Sequence, residues 1–381
     1  MQNIIGKQKE KESEAGKGID NQREQTFALL LSHYRKYPQL QMEDIFKYLY
    51  QSSFGCEHMI SSLEKVKERI LEEKDYVDRG KDTHLTGDFL VDILDGDYSR
   101  VHLNYLNLGL KGETLAQIFL NSAVTEEKGR EKLQEKLIVV SDMVEKGLLP
   151  FSWKEFEIEK GEWEAAGYPP VHHSQMFREA YAPAYRVVAN RYVEFLPLLA
   201  KIDQLLVGDT KITIAIDGGS GSGKTTLAKI LKEVYDCTVF HMDDFFLRPE
   251  QRNAERYKEA GGNIDWERFL EEVLIPLRKS KVVKYRKFDC STMELSPYIE
   301  EKMKKLIVVE GAYSMHNQLN GYYDFSVFMD ISPKLQRERI GKRNSPEAAQ
   351  LFYERWIPLE DVYFSEMKVR ERCDMVIPVQ E

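Results

Sequence analysis

The sequence predicts an α/β unit built on a five-stranded parallel sheet flanked by helices, preceded by a mainly helical domain. Three observations carry this. The run Ile212 to Leu227, ITIAIDGGSGSGKTTL, passes from β-branched residues through a glycine-rich turn into a helix-forming segment. Downstream, short apolar runs with polar ends alternate with helical patterns, as in a parallel sheet covered on both faces. Upstream, apolar residues recur at helical spacing over roughly 180 residues, with few strand candidates.

A chain of 381 residues is long for one domain. The hydrophilic joint Val207-Gly208-Asp209-Thr210 places the boundary near residue 208, giving a disordered tail over 1–24, a helical domain over 25–207 and the α/β unit over 208–381. The tail is rich in Lys, Glu, Gln and Gly with almost nothing apolar after Ile5. A hydrophobic content of 42% suffices for buried cores, while a net charge of −9 argues against holding nucleic acid by a general basic field. The longest apolar runs, such as FALLL and LIVVEGA, are too short to span a membrane, and the first residues are too polar for a signal peptide. The expectation is a cytoplasmic protein with a small-molecule substrate and neither nucleic-acid nor membrane partners; nothing in the sequence indicates its oligomeric state. Cys56, Cys237, Cys290 and Cys373 have no paired spacing and read as reduced thiols.

Within residues 25–207, helical periodicity runs through FALLLSHYRKY, MEDIFKYLYQSSF, SSLEKVKERILEE, TLAQIFLNSA, EKLQEKLIVVSDMVEKG with Gly147 as its C-cap, and RVVANRYVEFLPLLAKIDQLL. Arg100 to Leu103 is a short strand candidate. Two polar clusters stand out: Ser53 to His58, and Pro169 to Ser174 with His172 and His173, followed by Tyr181 to Arg186. Such a set of His, Arg, Tyr and Glu either converges on a pocket for an anion or a metal, or satisfies hydrogen bonds between helices.

The glycine-rich turn matches G-x-x-x-x-G-K-[ST] from Gly218 through Gly219, Ser220, Gly221, Ser222 and Gly223 to Lys224 and Thr225, with Thr226 following. Glycines let successive N–H groups aim at phosphate oxygens in front of a helix N-terminus. Lys224 is expected to reach the β/γ-phosphates and the Thr225 hydroxyl to hold Mg²⁺. Four further strands are read in CTVFHMDDFF, KLIVVEGAYS, DFSVFMDI and CDMVIPV, and helices in NIDWERFLEEVLIPLRK, with Asn263 or Asp265 as cap, and in SPKLQRERIGKR. Trp356 to Asp361 reads as an aromatic and proline turn. Ligands are expected at the carboxyl ends of the strands. There Glu310 is placed to orient Mg²⁺, Asp243 and Asp244 to accept the proton of an attacking hydroxyl, and Asp217 to shape the same site.

Gly218 to Thr226, His241-Met242-Asp243-Asp244-Phe245-Phe246, Val309-Glu310-Gly311 and the Arg-rich helix together resemble the uridine kinase and phosphoribulokinase group of P-loop kinases, over about residues 210–380. The resemblance implies ATP and Mg²⁺ as cofactors, Asp243 as base, and Arg337, Arg339 or Arg343 as the lid arginine. It also implies substrate contacts at Tyr285, Phe288 and Asp289, which keep part of the group's nucleoside-reading segment without its His, and at Asp265, which reads equally as a helix cap. The expected activity is phosphorylation of a hydroxyl on a small metabolite, a nucleoside such as uridine or cytidine. Another small alcohol (sugar, polyol or pantothenate-like acid) is the alternative acceptor. A nucleotide-hydrolysing switch with a partner-binding helical half, and a bifunctional enzyme, are the other readings; the guanine-reading [NT]-K-x-D segment is absent.

Overall fold

The structure, a computed structural model, describes residues 23–55, 62–79, 90–123 and 126–380. Most of the segment read as a tail, together with Cys56 and His58, lies outside them. The chain divides into two compact units, Met1–Asp203 and Gln204–Glu381.

The first unit runs α1 (23–36), α2 (Met42–Phe54), α3 (Leu63–Arg79), β1 (Val91–Ile93), β2 (Tyr98–His102), α4 (Gly112–Leu120), α5 (Glu126–Glu145), α6 (Trp153–Ala165), α7 (Gln175–Tyr181), β3 (Tyr185–Ala189), α8 (Asn190–Val193) and α9 (Leu196–Leu205). Residues 23 and 24, read as tail, belong to α1. Ile45, Phe46, Tyr48 and Leu49 of α2 share one core with Leu133, Val140 and Met143 of α5, as the helical spacing predicts. Gly147, at φ +67°, donates its N–H to Val144 O at 3.0 Å just past α5.

Two features correct the sequence reading of this unit. It holds a three-stranded antiparallel sheet in the order β1-β2-β3, and Arg186 to Ala189, read as the start of a helix, forms part of β3. Val187 and Val188 are β-branched, and the strand is fixed by pairing with β2, where Arg100 lies opposite Val187. Helix α6 was not anticipated, since its polar sequence WKEFEIEKGEWEA buries only Phe156 and Trp163.

The second unit runs β4 (Ile212–Gly218), α10 (Lys224–Tyr235), β5 (Thr238–His241), α11 (Ala254–Lys258), α12 (Trp266–Phe269), a wide helical turn (Leu270–Leu274), α13 (Ile275–Leu277), and two short antiparallel pairs made by β6 (Val282–Tyr285) with β9 (Ile299–Lys302) and by β7 (Phe288–Asp289) with β8 (Glu294–Leu295). Then come β10 (Leu306–Glu310), β11 (Phe325–Asp330), α14 (Pro333–Arg343), α15 (Pro346–Leu351), α16 (Ile357–Glu366), α17 (Val369–Arg372) and β12 (Met375–Pro378). The five expected strands form one parallel sheet in the order β12-β11-β4-β10-β5. All seven residues of β4 are buried, as a central strand covered on both faces requires.

Trp356 to Asp361 is helical rather than a turn. A wide turn over Phe352–Trp356 leads into α16, and Pro358 sits in the first turn of that helix, where an N–H is dispensable. Among the described residues no helix is long and apolar enough to cross a membrane.

Candidate active site

Register brings the site together. Glu310 at the end of β10 lies opposite Ile216 of β4 on one side and His241 of β5 on the other, so the ends of three strands open onto the glycine-rich loop. Gly218 must be glycine because a Cβ there would lie 2.5 Å from Met329 O of β11. Gly223 meets nothing within 4 Å, and its φ of +96° alone requires glycine. The loop is thus turned tightly against β11 yet open in front of α10.

The remaining loop residues have distinct partners. Lys224 donates to Gly218 O at 2.7 Å and Gly219 O at 3.0 Å, which holds its ammonium at the loop mouth. Ser220 donates through N–H (2.9 Å) and Oγ (2.5 Å) to Glu360 of α16. Gly221 O accepts from Arg339 at 3.4 Å. Ser222 is buried and donates its N–H to Gly219 O at 3.1 Å. Thr225 and Thr226 are exposed on the first turn of α10. Thr225 Oγ1 donates to Glu310 Oε1 at 3.1 Å, and His241 Nδ1 approaches the same oxygen at 2.5 Å.

This arrangement fits a nucleotide and Mg²⁺. Octahedral Mg²⁺ with bonds of about 2.0–2.1 Å sets adjacent ligand oxygens about 3 Å apart, close to the Thr225 to Glu310 separation. Thr225 and Glu310 are the residues that would hold the ion; no cluster of three or more His, Cys, Asp or Glu residues suited to a metal exists among the described residues. The Glu310 hydrogen bond raises the pKa of His241.

Asp243 and Asp244 lie on a 3₁₀ turn, Met242–Phe245, just beyond β5 rather than in the strand itself. Asp243 is exposed, yet desolvation by its surroundings raises its pKa; Lys224 opposes this and Glu310 adds to it. Asp244 instead pairs with Lys287 at 2.9 Å. Asp217 is fully buried and accepts from Gly218 N–H (2.7 Å), Met315 N–H (2.8 Å) and Tyr363 OH (2.8 Å). It braces the loop from behind.

The lid candidates separate by their contacts. Arg339 alone of the three reaches the loop, also donating to Gln380 O at 2.8 Å. Arg337 lies over Tyr353 and Arg343 over Phe352.

The substrate candidates Phe288, Asp289 and Asp265 neighbour the turn that carries Asp243: Phe288 and Asp289 form β7, which packs against Met242–Phe245, and Asp265 N–H donates to Phe245 O at 2.7 Å. Tyr285, 4% exposed, is packed in the core beside Phe240 and Phe245, so its ring is not free to stack on a base. Phe288 is buried under Arg252. Asp289 is exposed in a turn and accepts from Ser291 N–H and Oγ. Asp265, not Asn263, caps α12, accepting from Arg268 N–H at 3.1 Å and facing the Arg268 guanidinium. His241 opens the recognised motif and Glu360 lies in the segment Trp356 to Asp361, but the sequence reading gave neither a role, and Tyr363 was not singled out. An acid after a helix-forming proline is no signal by itself.

Residues 213–344 match the model of the Phosphoribulokinase / Uridine kinase family. The bifunctional alpha-galactosidase/sucrose kinase of Mediterraneibacter gnavus is 32% identical over 211 residues, 48% of this chain but 22% of that protein. The uridine kinase of Chlamydia pneumoniae is 31% identical over 143 residues, 34% of this chain and 61% of that one. A solved structure of a possible uridine kinase from Bacillus stearothermophilus aligns at 24% identity with a TM-score of 0.37, over 47% of this chain and 98% of that chain. The part of this chain that is similar to the phosphoribulokinase and uridine kinase family is residues 213–344.

Proposed function

We propose that the second unit is an ATP-dependent kinase that phosphorylates a hydroxyl of a small polyhydroxylated metabolite, a sugar rather than a nucleoside. The observation that carries the kinase reading is the convergence of Lys224, the Thr225 and Glu310 oxygens, and Asp243 at the carboxyl ends of β4, β10 and β5. The acceptor class is supported by the burial of Tyr285 and Phe288 and by the sucrose kinase among the relatives. A nucleoside acceptor is the second reading, favoured by the relatives named as uridine kinases.

Bound ATP would supply the transferable phosphoryl group with ADP as the leaving group, and Mg²⁺ would offset the charge on the phosphate oxygens. The protein supplies the rest. Asp243 accepts the proton of the acceptor hydroxyl as that oxygen attacks. Lys224 leaves the loop carbonyls to meet phosphate charge, Thr225 and Glu310 hold the metal, and Arg339 closes from the lid helix. His241 keeps Glu310 in one orientation.

The test is ADP release by the full chain with a panel of sucrose, fructose, glucose, uridine, cytidine and pantothenate. A sugar-dependent signal is expected. A response confined to uridine or cytidine overturns the sugar reading and leaves the kinase reading standing, whereas no acceptor-dependent turnover with any alcohol overturns both.

A further inference from the structure

The first unit buries a directional chain of polar side chains that no part of the kinase reading uses. Arg100 of β2 donates to Gln51 Oε1 through Nε (3.0 Å) and a terminal nitrogen (2.8 Å). That fixes the Gln51 amide, whose Nε2 donates to the Tyr185 oxygen at 3.2 Å. Tyr185 OH then donates to His173 Nε2 at 2.6 Å, and His173 Nδ1 donates to Asp44 at 2.7 Å. Burial holds His173 neutral, lowering its pKa to about 4, in keeping with a hydroxyl donated to Nε2; the Tyr185 hydroxyl also lies 3.3 Å from Gln51 Oε1. Asp44 is filled, accepting also from Gln41 N–H, Ser174 N–H and Ser174 Oγ.

The cations of this cluster exceed what its carboxylates meet. Arg100 is 2% exposed, yet its neighbours are the neutral Gln51, the ring of Tyr185 at 4.7 Å and His33 Nε2 at 3.4 Å. Lys47 donates to Val171 O at 2.9 Å, and neither cation contacts a carboxylate among the described residues. The other acid nearby, Asp92, lies opposite Arg100 across the β1–β2 pair but is engaged by Lys36 and by Tyr37 OH. Lys47 and Arg100 lie close enough to depress the Lys47 pKa to about 8, burial being the larger cause. Asp44 and Asp92 thus offset Lys47 and Arg100 without touching them, and a charge taken out of water whose counter-charge is engaged elsewhere is costly. Both keep N–H groups to spare among the described residues, their hydrogen bonds using one of the three donors of Lys47 and three of the five of Arg100. Lys47, Gln51 and Tyr185 are only half-buried, so the cluster has an open edge.

We propose that the N-terminal unit holds a binding site for a small oxyanion, the phosphate or carboxylate group of a metabolite, formed by Lys47 and Arg100 with Gln51 and Tyr185 at its edge. The oxyanion supplies a counter-charge in direct contact with both cations and accepts the spare N–H groups. Asp44, through His173, sets the direction of the Tyr185 hydroxyl.

The test uses the full chain with the phosphate loop saturated by Mg²⁺ and ADP, titrated by calorimetry with inorganic phosphate and, separately, acetate, while the imidazole signal of His173 is followed by NMR. Binding of one equivalent is expected, with a shift of the His173 signal. Lys47→Gln should weaken it about tenfold or more, and Lys224→Ala should leave it unchanged. A response to phosphate alone assigns a phosphorylated ligand, and one to acetate alone a carboxylate. The proposal is overturned if neither anion binds, or if binding survives Lys47→Gln and Arg100→Met but is lost in Lys224→Ala, which would place the anion on the phosphate loop. Because Arg100→Met removes a buried group and risks misfolding, the milder Lys47→Gln and the wild-type His173 signal decide the matter alone.

Discussion

Ser220 in the phosphate loop donates both its N–H, at 2.9 Å, and its hydroxyl, at 2.5 Å, to the carboxylate of Glu360, 140 residues further along the chain. The pair ties the loop to α16, in the segment that follows the Arg-rich helix α14. Glu360 is 4% exposed and its pKa is raised by burial, with Lys224 and the Ser220 bonds opposing the rise. Glu360→Gln keeps the volume but turns a donor amide toward one of the two Ser220 donors. A hydrogen bond to a charged group contributes about 1.5–3 kcal/mol, so kcat/KM for ATP should fall by about tenfold or more. Steady-state kinetics with ATP varied checks this; unchanged kinetics would make the pair a packing detail.

Lys224→Ala should abolish phosphoryl transfer while thermal unfolding stays close to wild type, because it deletes a charge held on two loop carbonyls and little core volume. Near wild-type ATP turnover in the folded variant would sink the kinase reading.

Asp243→Asn should lower kcat by about 10²- to 10⁴-fold, the range of general-base catalysis, with nucleotide affinity little changed. The base must be unprotonated, so activity is lost as pH falls through its pKa. Since desolvation raises that pKa, the acidic limb of the kcat/KM profile should lie above the ordinary carboxylate range. Asp244, paired with Lys287, is the control; a larger effect of Asp244→Asn would reverse the assignment.

Among the lid arginines, Arg339→Ala should reduce transfer most, because Arg339 alone of the three reaches a loop carbonyl. Arg337 and Arg343 rest on Tyr353 and Phe352. Equal kinetics for the three alanine variants would show that α14 does not close over the loop through Arg339.

His173 makes the stability of the first unit sensitive to acid. The unfolded chain protonates this residue below about pH 6.5, the folded chain only near pH 4. Stability is therefore complete above about 6.5 and lost as pH falls toward 4, by on the order of 3 kcal/mol. His33, whose pKa burial also lowers, adds in the same direction. Urea unfolding between pH 7 and pH 4.5 should show a shallower pH slope in His173→Gln than in wild type; identical slopes would count against a neutral buried His173.

The sequence alone determined the phosphate loop, all five strands of the parallel sheet and the acids at their ends, because each is written locally. A glycine required by φ, an apolar run of strand length and a capping serine such as Ser332 act within a few residues of themselves. Tertiary structure decided what depends on partners far away in the chain. It turned Arg186 to Ala189 into a strand through pairing with β2, buried Tyr285 behind Phe245, and joined Ser220 to Glu360 and His241 to Glu310. It also drew His173 together with Asp44, Tyr185, Gln51 and Arg100. Local periodicity reports which face of an element is apolar, but not which distant side chain will meet it, since that contact is fixed by register and by the packing of elements brought together only when the chain folds.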